Sequence, residues 1–183
     1  MLSKKAFISG MNALKKGYIG WQFDLGDDIQ VNFWYAALKN LSDEQFKSIL
    51  TEYYAHNDQP PKCAKNLTDI LVDRVYNQAL IKPEGALDYV RDVISNHGGW
   101  DYGGTKEIYA ELEKYPALYE TVKEFERELQ NMASGDTYTA DRFRRTYAVK
   151  LRASAIKKVD NFLGLKIPDG TKALGTSSLP YET

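Results

Sequence analysis

Cysteine and histidine are scarce in this chain of 183 residues, and their scarcity argues against several kinds of site. Cys63 is the only cysteine, so no disulfide can form within the chain, which is typical of a reducing compartment. Zinc needs three or four convergent ligands, and His56 and His97 are the only histidines. We therefore expect neither a metal site nor a thiol-based catalytic centre.

Long apolar runs are also missing. No window approaches the roughly 18 apolar residues of a membrane span, and no uninterrupted apolar stretch follows the charged N-terminus. We therefore expect a cytoplasmic protein, with no membrane as a partner. The formal net charge of −1 provides no overall attraction to nucleic acid or anionic lipid, so any electrostatic function must come from local charge asymmetry.

The chain contains no recognisable nucleotide-binding loop. Gly103-Gly104-Thr105-Lys106 lacks the spacing and the preceding strand of a phosphate-binding loop, and it predicts a loop followed by a helix that Thr105 caps. The carboxylates lie in hydrophilic runs that are typical of solvated helix faces. We therefore expect no cofactor and no enzymatic activity.

Helical periodicity is what the chain has in abundance. Apolar residues recur every three or four positions, as in Phe7, Met11, Leu14 and Tyr18, and no segment alternates as a strand would. Ser42-Asp43-Glu44-Gln45 has the form of a capping box at the start of a helix. The sequence predicts an all-α fold, a small bundle of about seven helices.

Breaks in this periodicity predict that the chain is divided into three regions. Residues 1–82 are expected to form an N-terminal helical domain, and residues 83–163 a C-terminal helical region that ends in a basic amphipathic helix. Residues 164–183 contain glycines and prolines without periodicity, and they are expected to form a mobile, flexible C-terminal tail.

Charge is uneven in the C-terminal half. Residues 101–136 contain nine acidic and four basic residues, a net −5, whereas residues 138–163 contain seven basic and two acidic ones, a net +5. At about 100° per residue, the predicted last helix has one apolar and one basic face. The apolar face comprises Phe143, Tyr147, Leu151, Ala155 and Phe162. The basic face comprises Arg142, Arg145, Lys150, Arg152 and Lys157, which are the candidate partner-binding residues.

Three interpretations of the basic face remain open. The acidic helices that precede it could neutralise it, because neighbouring segments can pack antiparallel, with Glu124 or Glu128 meeting its arginines. It could instead contact nucleic-acid phosphates, or it could dock an acidic partner protein.

The first seventy residues resemble a known phage family. The segments that carry the resemblance are Phe7 to Tyr18, Phe33-Trp34-Tyr35-Ala36-Ala37-Leu38-Lys39, Leu41-Ser42-Asp43-Glu44, Tyr53-Tyr54, Pro60-Pro61 and Leu67-Thr68-Asp69-Ile70. This pattern of three helices and a Pro-Pro link into an aspartate-containing motif is similar to the replicative-helicase loaders and inhibitors of tailed phages that infect Gram-positive bacteria.

The resemblance implies a small ATP-independent adaptor in the host cytoplasm. Such an adaptor would bind a hexameric replicative helicase, keep it inactive, and deliver it to an origin-bound initiator, with the helicase contact within residues 138–183. The alternative prediction is a phage-encoded inhibitor or regulator of another host protein, such as a nuclease or a transcription factor. Direct nucleic-acid binding is a third hypothesis.

Overall fold

The computed structural model describes residues 1–100, 104–133 and 135–165, and this part of the chain is entirely helical outside its turns and loops. Its eight helices are α1 (Lys4–Gly17), α2 (Asp28–Leu38), α3 (Asp43–His56), α4 (Ala64–Asn77), α5 (Pro83–Asn96), α6 (Thr105–Leu112), α7 (Pro116–Gln130) and α8 (Thr137–Leu163). The all-α prediction is confirmed, with eight described helices where about seven were expected. Of the tail predicted for 164–183, all but the first two residues lie outside the described residues. None of the described helices is long and apolar enough to cross a membrane.

Local sequence explains where several helices begin. The capping box of α3 is confirmed, since the Ser42 hydroxyl accepts from the Gln45 amide at 3.1 Å and the Gln45 side chain accepts from the Ser42 amide at 2.8 Å. The prediction that Thr105 caps α6 is wrong. Gly104 occupies the cap position, and Thr105 is the first helical residue, whose hydroxyl donates to the Trp100 carbonyl at 3.1 Å.

The buried apolar side chains of the described residues form two clusters. The first cluster joins α1 to α4 with the C-terminal half of α8, and Trp34, 8% exposed, packs within it against Trp21 and Phe23. The second cluster joins α5, α6 and α7 with the N-terminal half of α8. The α4–α5 loop, where a domain boundary was predicted, runs from one cluster to the other. Because α8 contributes to both clusters, the division at residue 82 stays a prediction.

The buried stripe of α8 winds around the helix. It consists of Phe143, Tyr147, Leu151, Ala155, Val159 and Leu163, which are spaced four residues apart and are all buried except the half-buried Leu151. Each step of four residues turns the stripe by about 40°, so the two ends of α8 bury different sides. Phe162, which was predicted to lie on the apolar face, is 50% exposed for this reason, and Val159 and Leu163 are buried instead.

Candidate partner-binding surface on the last helix

The start of α8 is fixed by a side-chain cap. The Asp136 carboxylate accepts a hydrogen bond from the Thr139 amide at 3.0 Å. That hydrogen bond lowers the pKa of Asp136 from its ordinary value. The cap therefore keeps its charge at neutral pH, and a carboxylate at a helix N-terminus also interacts favourably with the helix dipole.

Two candidate residues face the acidic helix α7. The Lys150 ammonium lies 2.7 Å from a Glu124 carboxylate oxygen and donates to the Glu120 carbonyl at 3.0 Å. The Arg142 guanidinium lies 3.7 Å from Glu128. These pairs run antiparallel along α7 and α8, as the intramolecular interpretation expected. Lys150 therefore has two partners on α7, a carboxylate and a backbone carbonyl.

A third candidate has a partner that the sequence did not indicate. The Arg152 guanidinium donates to the Asp73 carboxylate on α4 at 2.8 Å, and both side chains are about half exposed. In the intramolecular interpretation Arg152 would meet Glu124 or Glu128, whereas the structure pairs it with Asp73. The N-terminal half of α8 packs against α7, and its C-terminal half packs in the cluster that contains α4. Asp73 on α4 lies 79 positions before Arg152 in the chain.

The remaining two candidates are exposed without an ion pair. Arg145 and Lys157 both point into solvent, and neither lies within 4.0 Å of an acidic group in the part of the chain that the structure describes. The basic face thus divides into three residues paired within the chain and two that are open to a partner.

Two apolar members of this exposed surface were not predicted from the sequence. Tyr138 and Val149 are 73% and 69% exposed on the outer side of α8. With the arginines they form what we term the outer stripe: Tyr138, Arg142, Arg145, Val149 and Arg152, spaced alternately four and three residues apart. This spacing is the signal that could have revealed it, because positions three and four apart share one helix face.

An aromatic contact orders one end of the outer stripe. The Arg142 guanidinium lies 5.1 Å from the centre of the Phe125 ring and 5.7 Å from that of Tyr138, within the range of cation–π attraction. Arg142 thus lies between the buried Phe125 ring and the exposed Tyr138 ring. Tyrosine and arginine are both enriched among the residues that contribute most to protein–protein binding.

The half-buried pair of His97 and Glu111 links α5 to α6. The His97 Nε2 lies 2.9 Å from Glu111, and this hydrogen bond is the main cause that lowers the pKa of the Glu111 carboxyl. The Tyr89 hydroxyl lies 3.4 Å from the same carboxylate. No group of three or more histidine, cysteine or acidic side chains in the described ranges is arranged to hold a metal ion. The pair therefore joins two helices.

Comparison with protein-family models, with curated proteins and with solved structures found no match to this chain.

Proposed function

We propose that this chain is a non-enzymatic adaptor that binds a hexameric replicative helicase, inhibits it, and delivers it to an initiator-bound origin during phage DNA replication. The resemblance in the first seventy residues supports the identity of the partner. The observation that carries the proposal of a protein partner is the outer stripe of α8, in which arginine, tyrosine and valine share one solvated face.

The composition of the outer stripe favours a protein partner over a phosphate backbone. Tyr138 and Val149 offer apolar area between the arginines. Removing this area from water is favourable, and a protein surface with an apolar groove can cover it. Nucleic-acid backbones are held by clustered cations. Two of the arginines in this stripe, Arg142 and Arg152, already face carboxylates of the chain. Arg145 is the arginine of the stripe that has no ion pair among the described residues, so the stripe would fit an apolar helicase surface with an acidic group opposite Arg145.

Capture by the hexameric replicative helicase of the phage or its host tests the proposal. The chain should be retained with and without nucleotide, and reversal of Arg145 and Arg152 to glutamate should weaken retention at least tenfold, about 1.4 kcal/mol, because like charges then meet across the interface. Arg152→Glu also places a carboxylate beside Asp73 within the chain, so the melting temperature is measured alongside retention. Arg145→Glu alone should weaken retention in the same direction with little change in the melting temperature. Reversal of the exposed Lys62 and Lys65 is the matched control and should leave binding unchanged.

Two outcomes would overturn the helicase proposal. One is no association with the helicase under either nucleotide condition. The other is capture of a different host protein from lysate with the helicase absent from the bound fraction, which would favour a regulator of that protein. Strong salt-dependent binding to duplex or single-stranded DNA would indicate the nucleic-acid hypothesis instead.

A further inference from the structure

A cleft of about 370 Å³ lies where the two apolar clusters meet along α8. Its walls come from the α4–α5 loop, the start of α7 and the middle of α8, and they include Leu80, Ile81, Leu118 and Ala155. This volume lies at the lower end of the range of about 300–1,000 Å³ that is typical of small-molecule pockets. The cleft is therefore large enough for a short apolar chain or a single ring.

The charged residues of the cleft are both basic. Lys114 and Lys158 line it from opposite elements, the α6–α7 turn and α8, and no acidic side chain is among the described residues that form its walls. Both lysines are exposed, so their aliphatic stems can cover the wall while the ammonium groups stay in water. An anionic group bound beside them would meet two positive charges.

One acidic residue whose pKa is affected by the charge of Lys114 is already engaged with another group. Glu111 accepts the hydrogen bond from His97 at 2.9 Å, which is the largest cause of its lowered pKa, while the charge of Lys114 is a smaller one. Glu111 does not line the cleft. Among the residues that the structure describes, no acidic group lies within 4.0 Å of the Lys114 ammonium, so this group can meet a ligand.

The start of α7 adds to the positive character of the cleft. Pro116, Ala117 and Leu118 form the first turn of α7 and line the cleft, and no acidic residue or capping side chain occupies that turn. The N-terminal end of a helix carries a partial positive charge, which favours an anion nearby. The partial positive charge at the start of α7 adds to the charges of the two lysines.

We propose that this cleft binds a small amphiphilic carboxylate. Its short apolar chain would lie against Ile81, Leu118 and Ala155. Its carboxylate would lie between the ammonium groups of Lys114 and Lys158. This site is separate from the outer stripe, and the inference does not depend on helicase binding.

Calorimetric titration of the full chain with octanoate tests this inference, with octan-1-ol as the neutral chain of equal length. Octanoate should bind saturably at millimolar concentrations or below and more tightly than the alcohol. Changing Lys114→Gln and Lys158→Gln together should weaken octanoate binding about fivefold to tenfold, the range expected for two exposed charge contacts, and leave octan-1-ol unaffected. The matched control is Lys157→Gln, a neighbouring exposed lysine of α8 that does not line the cleft.

A second variant locates the ligand independently of charge. Ser154 lines the cleft from α8 and is half-buried, so Ser154→Trp should fill the space and abolish octanoate binding, with the helical circular dichroism unchanged. Equal affinity for octanoate and octan-1-ol, undiminished binding by the double lysine variant, or binding that survives in a folded Ser154→Trp chain would each overturn the proposal.

Discussion

At the scale of single residues, Trp34 is the aromatic anchor of the first cluster. It is buried between Trp21 and Phe23, with ring centres 5.9 and 5.3 Å away in edge-on geometry. We expect Trp34→Ala to lower the free energy of unfolding by about 3–5 kcal/mol, because it removes a large buried side chain and leaves a cavity. Urea denaturation measures this loss. Phe33→Ala is the control and should cost little, since that neighbouring ring is 74% exposed.

The contribution of Tyr147 to the free energy of unfolding should depend on pH. Its buried hydroxyl donates to the Ile81 carbonyl at 2.9 Å, and burial raises the pKa of Tyr147 to about 12. Because the folded pKa exceeds the unfolded value of about 10, the resulting stability is present below pH 10 and is lost as the pH rises towards 12. Tyr147→Phe should lose about 1–3 kcal/mol at pH 8, since the Ile81 carbonyl is left without its partner.

The gap in unfolding free energy between wild type and Tyr147→Phe should narrow between pH 10 and pH 11. Denaturant midpoints at pH 8, 10 and 11 measure this change. Tyr54→Phe, at an exposed position, serves as the control for tyrosine ionisation in general. A gap that stays constant over this range would show that Tyr147 ionises equally well in the folded and unfolded chain.

At the scale of elements, α1 and α3 pack closely at a glycine. A methyl group built on Gly10 would lie 2.6 Å from Leu50 Cδ1 and 2.7 Å from Phe46 Cε1, and both of these side chains are buried. Alanine favours a helix by about 0.5–1 kcal/mol over glycine, but forcing a methyl group into a packed core costs about 1–3 kcal/mol. We therefore expect Gly10→Ala to lower the melting temperature.

The matched control for Gly10→Ala is in α5. A methyl group on Gly85 would meet nothing within 4 Å, so Gly85→Ala should raise the melting temperature through the gain in helix propensity. Melting temperatures that shift in opposite directions for these two glycine-to-alanine changes would distinguish the cost of close packing from the gain in helix propensity. Equal shifts in the two variants would contradict the close approach of α1 and α3.

The sequence predicted the helices better than it predicted their faces. Local signals sufficed for the capping box at Ser42, because a hydroxyl and an amide three residues apart satisfy each other whatever the rest of the fold does. Phe162 was placed on the wrong side of α8 because one fixed face was assumed for the whole helix. That assumption fails when a helix exchanges one packing partner for another midway.

Contacts between segments far apart in the sequence could not be predicted from the sequence pattern either. The pairing of Arg152 with Asp73 depends on α4 lying beside the second half of α8, and nothing in the charge pattern near residue 152 indicates this. The ion pair of Lys150 with Glu124 on α7 agrees with the intramolecular interpretation, one of the three that the sequence left open. For the candidate site, the sequence thus identified the basic helix and its arginines, whereas only the fold shows which charges are already engaged.

At the scale of the whole molecule, α8 connects the two clusters. We expect the wild-type chain to unfold in one cooperative transition, because Tyr147 lies in the second cluster and Ala155, two turns later, lies in the first. Leu151→Pro removes a backbone donor midway and disrupts the helix at a cost of about 3 kcal/mol or more. That variant should unfold in two separate transitions.

Tryptophan fluorescence can resolve those transitions, since Trp21 and Trp34 report on the first cluster and Trp100 packs against the second. Leu151→Ala controls for the loss of the side chain, and it should lower the midpoint while preserving a single transition. A single transition in Leu151→Pro would show that contacts other than α8 couple the two clusters.

The winding stripe of α8 also determines which changes of chain length the protein can tolerate during evolution. One residue inserted between Tyr147 and Ala155 would turn everything beyond it by about 100° and shift it by about 1.5 Å, which would direct polar side chains into one of the two clusters. An insertion of about 11 residues, close to three whole turns, would restore the angle but lengthen the helix by about 16 Å. We therefore expect natural variants of this protein to vary in length in the loops between helices, while the number of residues between those two buried positions stays constant.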